Sequence, residues 1–359
     1  MFSNIPPSHY FDKDIFESEK DSIFQNNWIF VCFKDEVSKP NDFVSKKVGK
    51  IPVVIQNMNG EIKAFMNVCS HRFSILQTAE KGNRALFCPY HGWAFNKEGY
   101  PSGIPKKPLF KEFNEEDKCK LKLTEYKLES CGDLYFIHIG EPKMSLKESL
   151  GKFYDEIELI SKSKGDLVDT NKINIKSNWK IIVENTLESY HVNLIHTDTF
   201  KRLGASGLKF EFVNNHSSWD ADLALNEDDP KLSKIHNNFS NRPFKINGYK
   251  HYLIYPNLLI STSYGISSNF SLITPTSPED TEFVSNVFLS EPNKPNSLVD
   301  SYKSSLIEFN RQVFDEDQVI CEEVQKGVVV TNKPGVLSLE EERVHKFQEY
   351  YINQINANS

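Results

Sequence analysis

A chain of 359 residues, 39% hydrophobic and 25% charged, is long enough for two domains and has the composition of a soluble globular protein. Its formal net charge of −7, with no Lys/Arg block, argues against a nucleic-acid partner or an anionic membrane surface. The opening MFSNIPPSHYFDKD lacks the regions of a signal peptide, no apolar run has bilayer length, and the six cysteines lack disulfide-scaffold spacing, which together fit a reducing cytoplasm.

Over residues 12–27, Ile15, Phe16, Ile23 and Phe24 recur at helical spacing and predict an amphipathic helix, followed by a strand over 28–33. Residues 51–56 and 62–67 are β-rich runs around Asn59-Gly60, a dipeptide that favours a tight hairpin turn. The second run leads directly to CSHRFSILQTAEKGNRALFCPYHGW, Cys69 to Trp93. Here the pairs Cys69-x-His71 and Cys88-x-x-His91 are separated by sixteen residues. One Cys and one His on each of two loops suit a [2Fe–2S] cluster with one iron on sulfur and the other on nitrogen. Tetrahedral zinc accepts the same donors, although common zinc fingers pair Cys with Cys and His with His. Four unrelated core residues are the remaining reading.

A strand and turn follow over 93–99, residues 121–128 alternate, and 134–139 is an apolar strand that closes a small β domain. A helix is predicted over 146–162, a polar linker over 161–171 and a strand over 173–177. Strands over 209–213, 249–255, 258–264, 270–274 and 283–289 make an antiparallel sheet, and 301–325 a long helix. The polar stretch 214–242, with Asp228, Asp229 and Pro230 together, reads as a long surface or gating loop. Ser338-Leu339-Glu340-Glu341 is a capping-box pattern that opens a C-terminal helix.

A second chemical motif lies in NWKIIVENTLESYHVNLIH, residues 178–196, as Glu188-x-x-His191-x4-His196. Two histidines and a carboxylate with open coordination positions suit non-heme Fe(II). Five residues apart, His191 and His196 would point about 140° apart on a regular α-helix. A helix end, a π-bulge or a kink is therefore required to bring both to one metal. The competing reading is an amphipathic helix with two histidines on its polar face.

CSHR, CPYHGW and the spacing between them resemble the Rieske signature of ring-hydroxylating, non-heme iron oxygenases. Asn-Trp-Lys…Glu-Asn…Tyr-His…His resembles the same family's mononuclear iron motif. One departure is Phe73, where the family usually has glycine after His-Arg. The resemblance implies an α+β fold: a small all-β Rieske [2Fe–2S] domain over 39–145, and an α+β helix-grip (START-like) catalytic domain over 146–359. Residues 1–38 would be a helix and strand packing on the body. The implied cluster ligands are Cys69, His71, Cys88 and His91. The implied ligands of mononuclear Fe(II) are His191, His196 and Asp317, the last chosen by an Asp-x4-Glu pattern, with Asp315 and Glu316 left open. Glu188 is implied to bridge His191 to the partner subunit's His91. Aspartate is usual at that place and glutamate is found in members acting on quaternary ammonium substrates, so Glu188 points away from an arene.

The implied activity is that of a terminal oxygenase. It takes O2 and electrons from a separate reductase or ferredoxin and hydroxylates or oxidatively dealkylates a small organic substrate, aromatic or quaternary ammonium. Without a convincing Gly-rich dinucleotide fingerprint, NAD(P)H would act only through the partner. A head-to-tail homotrimer is implied for the assembly. The alternatives are a Rieske electron-transfer protein without oxygenase chemistry, which leaves the second motif unexplained, and a zinc-stabilised binding protein, which would be colourless.

Overall fold

The computed structural model describes residues 1–110, 115–204, 206–223 and 230–357. They form two compact units, residues 20–148 and residues 1–19 with 149–359. Asp228 and Asp229 lie outside the described residues. Among the described residues no helix is long and apolar enough to cross a membrane.

The first unit is built from short antiparallel strands. β1 (Ile29–Phe33) pairs with β9 (Leu134–His138), which pairs with β8 (Lys127–Cys131). A second sheet has the order β4-β3-β2-β5, from β2 (Asp42–Val48), β3 (Ile51–Met58), β4 (Glu61–Met66) and β5 (Lys81–Asn83). A hairpin of β6 (Ala94–Phe95) and β7 (Pro101–Gly103) and the short helix α2 (Glu115–Lys120) complete the unit. The β3–β4 turn falls on Asn59 and Gly60, both with positive φ, as the dipeptide predicts. Residues 121–126, by contrast, are largely irregular, with one bridge from Phe65 to Glu125.

The core of this unit gathers Val54, Phe65, Leu76, Trp93 and Leu123 around Cys69 and Cys88. Burial of each large side chain contributes about 1.5–3 kcal/mol. A buried amide network then ties the two approaches to the cysteines together. Gln77 exchanges hydrogen bonds with Asn67, just ahead of Cys69, while its side chain bonds Gln56 and accepts from Arg84 Nε at 2.8 Å.

The second unit contains a seven-stranded antiparallel sheet of order β10-β16-β15-β14-β13-β12-β11. Its strands are β10 (Asp166–Ile175), β11 (Ser206–Val213), β12 (His216–Asp222), β13 (Tyr249–Ile254), β14 (Leu258–Ser263), β15 (Ser267–Ser277) and β16 (Asp280–Leu289). Helices α5 (Trp179–Thr186), α6 (Val192–Ile195), α7 (Phe200–Leu203), α8 (Pro230–Asn238), α9 (Ser297–Val328) and α10 (Glu342–Asn356) accompany it. The 32-residue α9 is N-capped by Asn296, whose side chain accepts from Leu298 N and Val299 N.

Three expectations are corrected. The polar linker predicted over 161–171 includes most of the edge strand β10, paired with β16 from Asp166 to Ile175, so its polarity reflects an exposed face and not a missing strand. The predicted loop over 214–242 contains β12 and α8; Ser217 and Ser218 are polar yet buried, which hides the strand from a hydrophobic pattern. The single helix predicted over 146–162 is α3 (Leu146–Leu150) and α4 (Phe153–Lys162), broken at Gly151 with φ +50°.

The N-terminal helix α1 (Lys13–Ser22) carries Glu19. Lys180 Nζ on α5 meets Glu19 Oε1 at 2.5 Å with both side chains fully buried. Trp179 Nε1 and Tyr351 Oη also donate to Glu19, at 2.8 and 2.7 Å. Such a pair makes α5 sensitive to loss of either partner, at about 3–5 kcal/mol. α5 is the helix that leads into the Glu188–His196 motif.

Candidate metal centres

Two loops of one backbone design carry the four Cys/His residues. In the first, Cys69 N donates to Ser74 O at 2.8 Å and Phe73 N to Cys69 O at 2.9 Å. In the second, Cys88 N donates to Trp93 O at 2.7 Å and Gly92 N to Cys88 O at 2.9 Å. Both cysteines are buried, and their thiols are hydrogen-bonded to one another. The imidazoles of His71 and His91 lie with centroids 4.7 Å apart, and Trp93 stacks flat on His71 at 4.6 Å. None of the six cysteines is in a disulfide.

The chemistry of these groups fits a Rieske cluster. Among the described residues His71 Nδ1 is buried without a hydrogen-bond partner. Burial pushes the Cys69 thiol up despite backbone N–H donors from His71 and Arg72. At Cys88 burial also raises the pKa, but the N–H groups of Tyr90 and His91 outweigh it, and the thiol falls below its usual value. Backbone donors aimed at both sulfurs are suited to thiolate ligands.

In the second unit, α5 ends at Thr186, and His191 and His196 bracket the single turn of α6 as its N-cap and C-cap. The helix end thus solves the five-residue spacing. Glu188 holds the turn by accepting from Tyr190 N at 2.5 Å and His191 N at 3.2 Å. His191 Nε2 and His196 Nε2 are 3.2 Å apart; Asp317 Oδ1, from α9, lies 3.1 Å from His196 Nε2 and 3.6 Å from His191 Nε2. These three residues form a convergent donor group. Two donors each about 2.1 Å from one metal and at right angles are about 3.0 Å apart, so the separations fit a shared ion.

Carboxylates also occupy the outer nitrogens. Glu188 Oε1 is hydrogen-bonded to His191 Nδ1, and Glu316 Oε2 lies 2.7 Å from His196 Nδ1. Each ring is thereby held with its proton on Nδ1 and its Nε2 lone pair free for a metal. Burial opposes charge on His196, yet Asp317 and Glu316 prevail and raise its pKa. That excess of negative charge suits a divalent cation. Of the three acidic candidates on α9, Asp317 faces the histidine Nε2 atoms, Glu316 backs His196, and Asp315 is exposed. Asn185 steadies Asp317 by donating to Oδ1 at 2.9 Å.

A cavity of about 150 Å³ opens on His191, His196 and Asp317 between the sheet and α9. Adjacent strands contribute one cross-strand row, Trp219, His251, Ser261, Asn269 and Val287. An aromatic chain runs beside it. Phe200 is 5.6 Å from His196, 6.0 Å from Tyr249 and 5.3 Å from Phe309 between ring centroids, and Tyr249 is 5.9 Å from Trp219. Sequence reasoning does not find these residues, because nothing distinguishes a cavity aromatic from the rest of 26 Phe and 14 Tyr. Asn185 had a signal, since it stands in the Glu-Asn of the iron motif.

Iron oxygen chemistry is the class to which two imidazoles, one carboxylate and an adjoining cavity belong. Residues 165–357 match the ring hydroxylating alpha subunit (catalytic domain) family, and residues 27–114 match the Rieske [2Fe-2S] domain. The chain belongs to the ring-hydroxylating alpha-subunit family of Rieske oxygenases, and its cofactors are accordingly a Rieske cluster and a mononuclear iron. The carnitine monooxygenase oxygenase subunit of Acinetobacter pittii is 26% identical over 328 residues, 90% of this chain and 84% of that protein. The large oxygenase component of the naphthalene 1,2-dioxygenase system of Pseudomonas aeruginosa is 34% identical over 197 residues, 53% of this chain but only 44% of that protein.

Among solved structures, the quaternary ammonium Rieske monooxygenase CntA with L-carnitine is similar with a TM-score of 0.80 at 20% identity, over 98% of this chain and 95% of that one. Naphthalene 1,2-dioxygenase from Rhodococcus sp. with indole gives 0.79 at 20% identity, over 99% and 95%. At these identities the likeness establishes the fold.

Proposed function

We propose that this chain is the terminal oxygenase of a multicomponent system and acts on a small quaternary ammonium compound. The observation that carries the substrate class is the aromatic chain Trp219–Tyr249–Phe200–Phe309 beside His196. Aromatic faces attract a quaternary ammonium through their negative quadrupoles, by about 0.5–2 kcal/mol per contact. A cavity of about 150 Å³ suits a small substrate. Similar proteins named as carnitine, choline and glycine betaine monooxygenases support the same class.

In this reading Cys69, His71, Cys88 and His91 hold the cluster in a domain over 39–145, and His191, His196 and Asp317 hold the iron in a domain over 146–359. The bound iron supplies activation of O2 with electrons relayed by the cluster. Glu188 and Glu316 keep the protons of His191 and His196 on Nδ1, and Asn185 orients Asp317. The aromatic faces place a methyl or methylene carbon of the cation near the triad for hydroxylation or oxidative dealkylation. Electrons come from a separate reductase or ferredoxin, with NAD(P)H oxidised by the reductase. A homotrimeric ring brings the partner subunit's His91 to Glu188, which then links the two imidazoles. The absence of disulfides among the six cysteines fits a cytoplasmic enzyme.

Oxygen uptake by the purified holoprotein with a reductase tests the reading. Choline, glycine betaine or carnitine should stimulate uptake, with release of a stoichiometric oxidised product. Stimulation by naphthalene and by none of the three quaternary ammonium compounds would contradict it.

A further inference from the structure

Arg343 on α10 is fully buried, and among the described residues no carboxylate pairs with it. Its guanidinium donates instead to Ser217 Oγ at 3.1 Å and to His251 Nδ1 at 3.1 and 3.2 Å. A guanidinium has donors only, so His251 Nδ1 must accept, and the neutral ring carries its proton on Nε2. Burial, reinforced by the Arg343 charge, holds the His251 pKa well below its ordinary value and keeps the ring neutral.

His251 lines the cavity, itself 7% exposed, and among the described residues its Nε2 has no hydrogen-bond partner. It stands between Trp219 and Ser261 in the cross-strand row and stacks at 22° with Tyr249. A buried cation that no carboxylate among the described residues pairs with, and an N–H donor on a histidine that lines the cavity, both call for an anion.

We propose that His251 Nε2–H, backed by the buried Arg343 guanidinium, binds an anionic group of the substrate, so that the preferred substrate is zwitterionic: a quaternary ammonium joined to a carboxylate. The proposal rests on the cation-binding reading above for its second half. Arg343 is a positioning residue. It fixes the tautomer of His251 and polarises its free N–H without touching the ligand.

The test is calorimetric binding to the anaerobic holoenzyme of three probes: glycine betaine, choline, and 3,3-dimethylbutanoate, which keeps the carboxylate and the shape but not the cation. Glycine betaine is expected to bind about tenfold or more tighter than choline, the size of a charge-assisted hydrogen bond. In His251→Phe the ratio of the two Kd values falls to about one. His251→Gln restores most of it, since an amide can accept from Arg343 and donate to the ligand. Arg343→Met, which removes an uncompensated charge and keeps volume, lowers the same ratio in a protein whose unfolding midpoint is retained. If 3,3-dimethylbutanoate binds as tightly as glycine betaine, with the same dependence on His251, the anion site stands and the cation reading fails. A wild-type ratio near one, an equal loss of both ligands in His251→Phe, or no binding of either carboxylate overturns the proposal.

Discussion

Phe73 occupies in the first cluster loop the place that Gly92 occupies in the second. Each follows its cysteine by four residues, each N–H donates to that cysteine's carbonyl at 2.9 Å, and each backbone is left-handed, with φ of +61° and +72°. A left-handed backbone costs a bulky L-residue about 1–2 kcal/mol and costs glycine nothing. Phe73 is 79% exposed, so it recovers little of this by burial.

Phe73→Gly should therefore stabilise the protein despite the added freedom of glycine in the unfolded chain. A net gain of about 0.5–1 kcal/mol raises the thermal midpoint by about 1–4 °C. Scanning calorimetry checks the shift, and the visible spectrum of the cluster should not move. A lower midpoint would show that the Phe73 ring makes a contact worth more than the strain.

The three neighbouring acidic residues of α9 should separate by role. Glu316→Gln keeps an oxygen for His196 Nδ1 but removes charge, and should weaken iron binding by about 10–100-fold while the iron can still be loaded at high concentration. Asp315→Ala, at an exposed position, should leave iron affinity unchanged. Titration of apoprotein with Fe(II) under anaerobic conditions measures both. Equal losses in the two variants would remove the assignment of Glu316 behind His196.

Much of this arrangement is legible from residue types and spacing. The paired Cys/His motifs announce a metal centre because no common structural need places those donors so regularly. The spacing of His191 and His196 demands a helix end, a π-bulge or a kink, and α5 does stop at Thr186. What escapes is information stored in tertiary direction. Glu316 and Asp317 are adjacent in sequence yet meet opposite nitrogens of His196, a choice made by the rotation of α9 against α6. The strands β10 and β12 escape because the polar residues of one lie on an exposed sheet edge and those of the other are buried against partners, His216 accepting from Tyr255 N and Ser217 from Arg343, so that alternation of hydrophobicity fails. The left-handed backbone of Phe73 is hidden for a simpler reason: the residue type opposes the conformation.

Stability should fall with rising pH through the titration of Glu184. Burial raises its pKa from 4.5 to about 7, against hydrogen bonds from Tyr10 and Gln348 that favour the charged form. A carboxyl whose folded pKa is raised contributes stability fully present below the unfolded value and lost as pH passes through the folded one. The loss should run from about pH 4.5 to about pH 7 and, for a partly buried group, amount to about 1–2 kcal/mol. Glu184→Gln, which keeps the oxygen that Tyr10 and Gln348 use, should flatten that slope. Denaturant unfolding at pH 5, 6, 7 and 8 compares the two proteins, and parallel slopes would exclude Glu184 as the source.

We assign electron entry and chemistry to two separate metal centres in one chain, and His191→Ala tests that division most directly. Metal analysis and the visible spectrum of the purified variant should show the Rieske cluster intact and the mononuclear iron lost, with substrate-dependent oxygen uptake abolished. A variant that keeps full uptake, or that loses the cluster together with the iron, would contradict it.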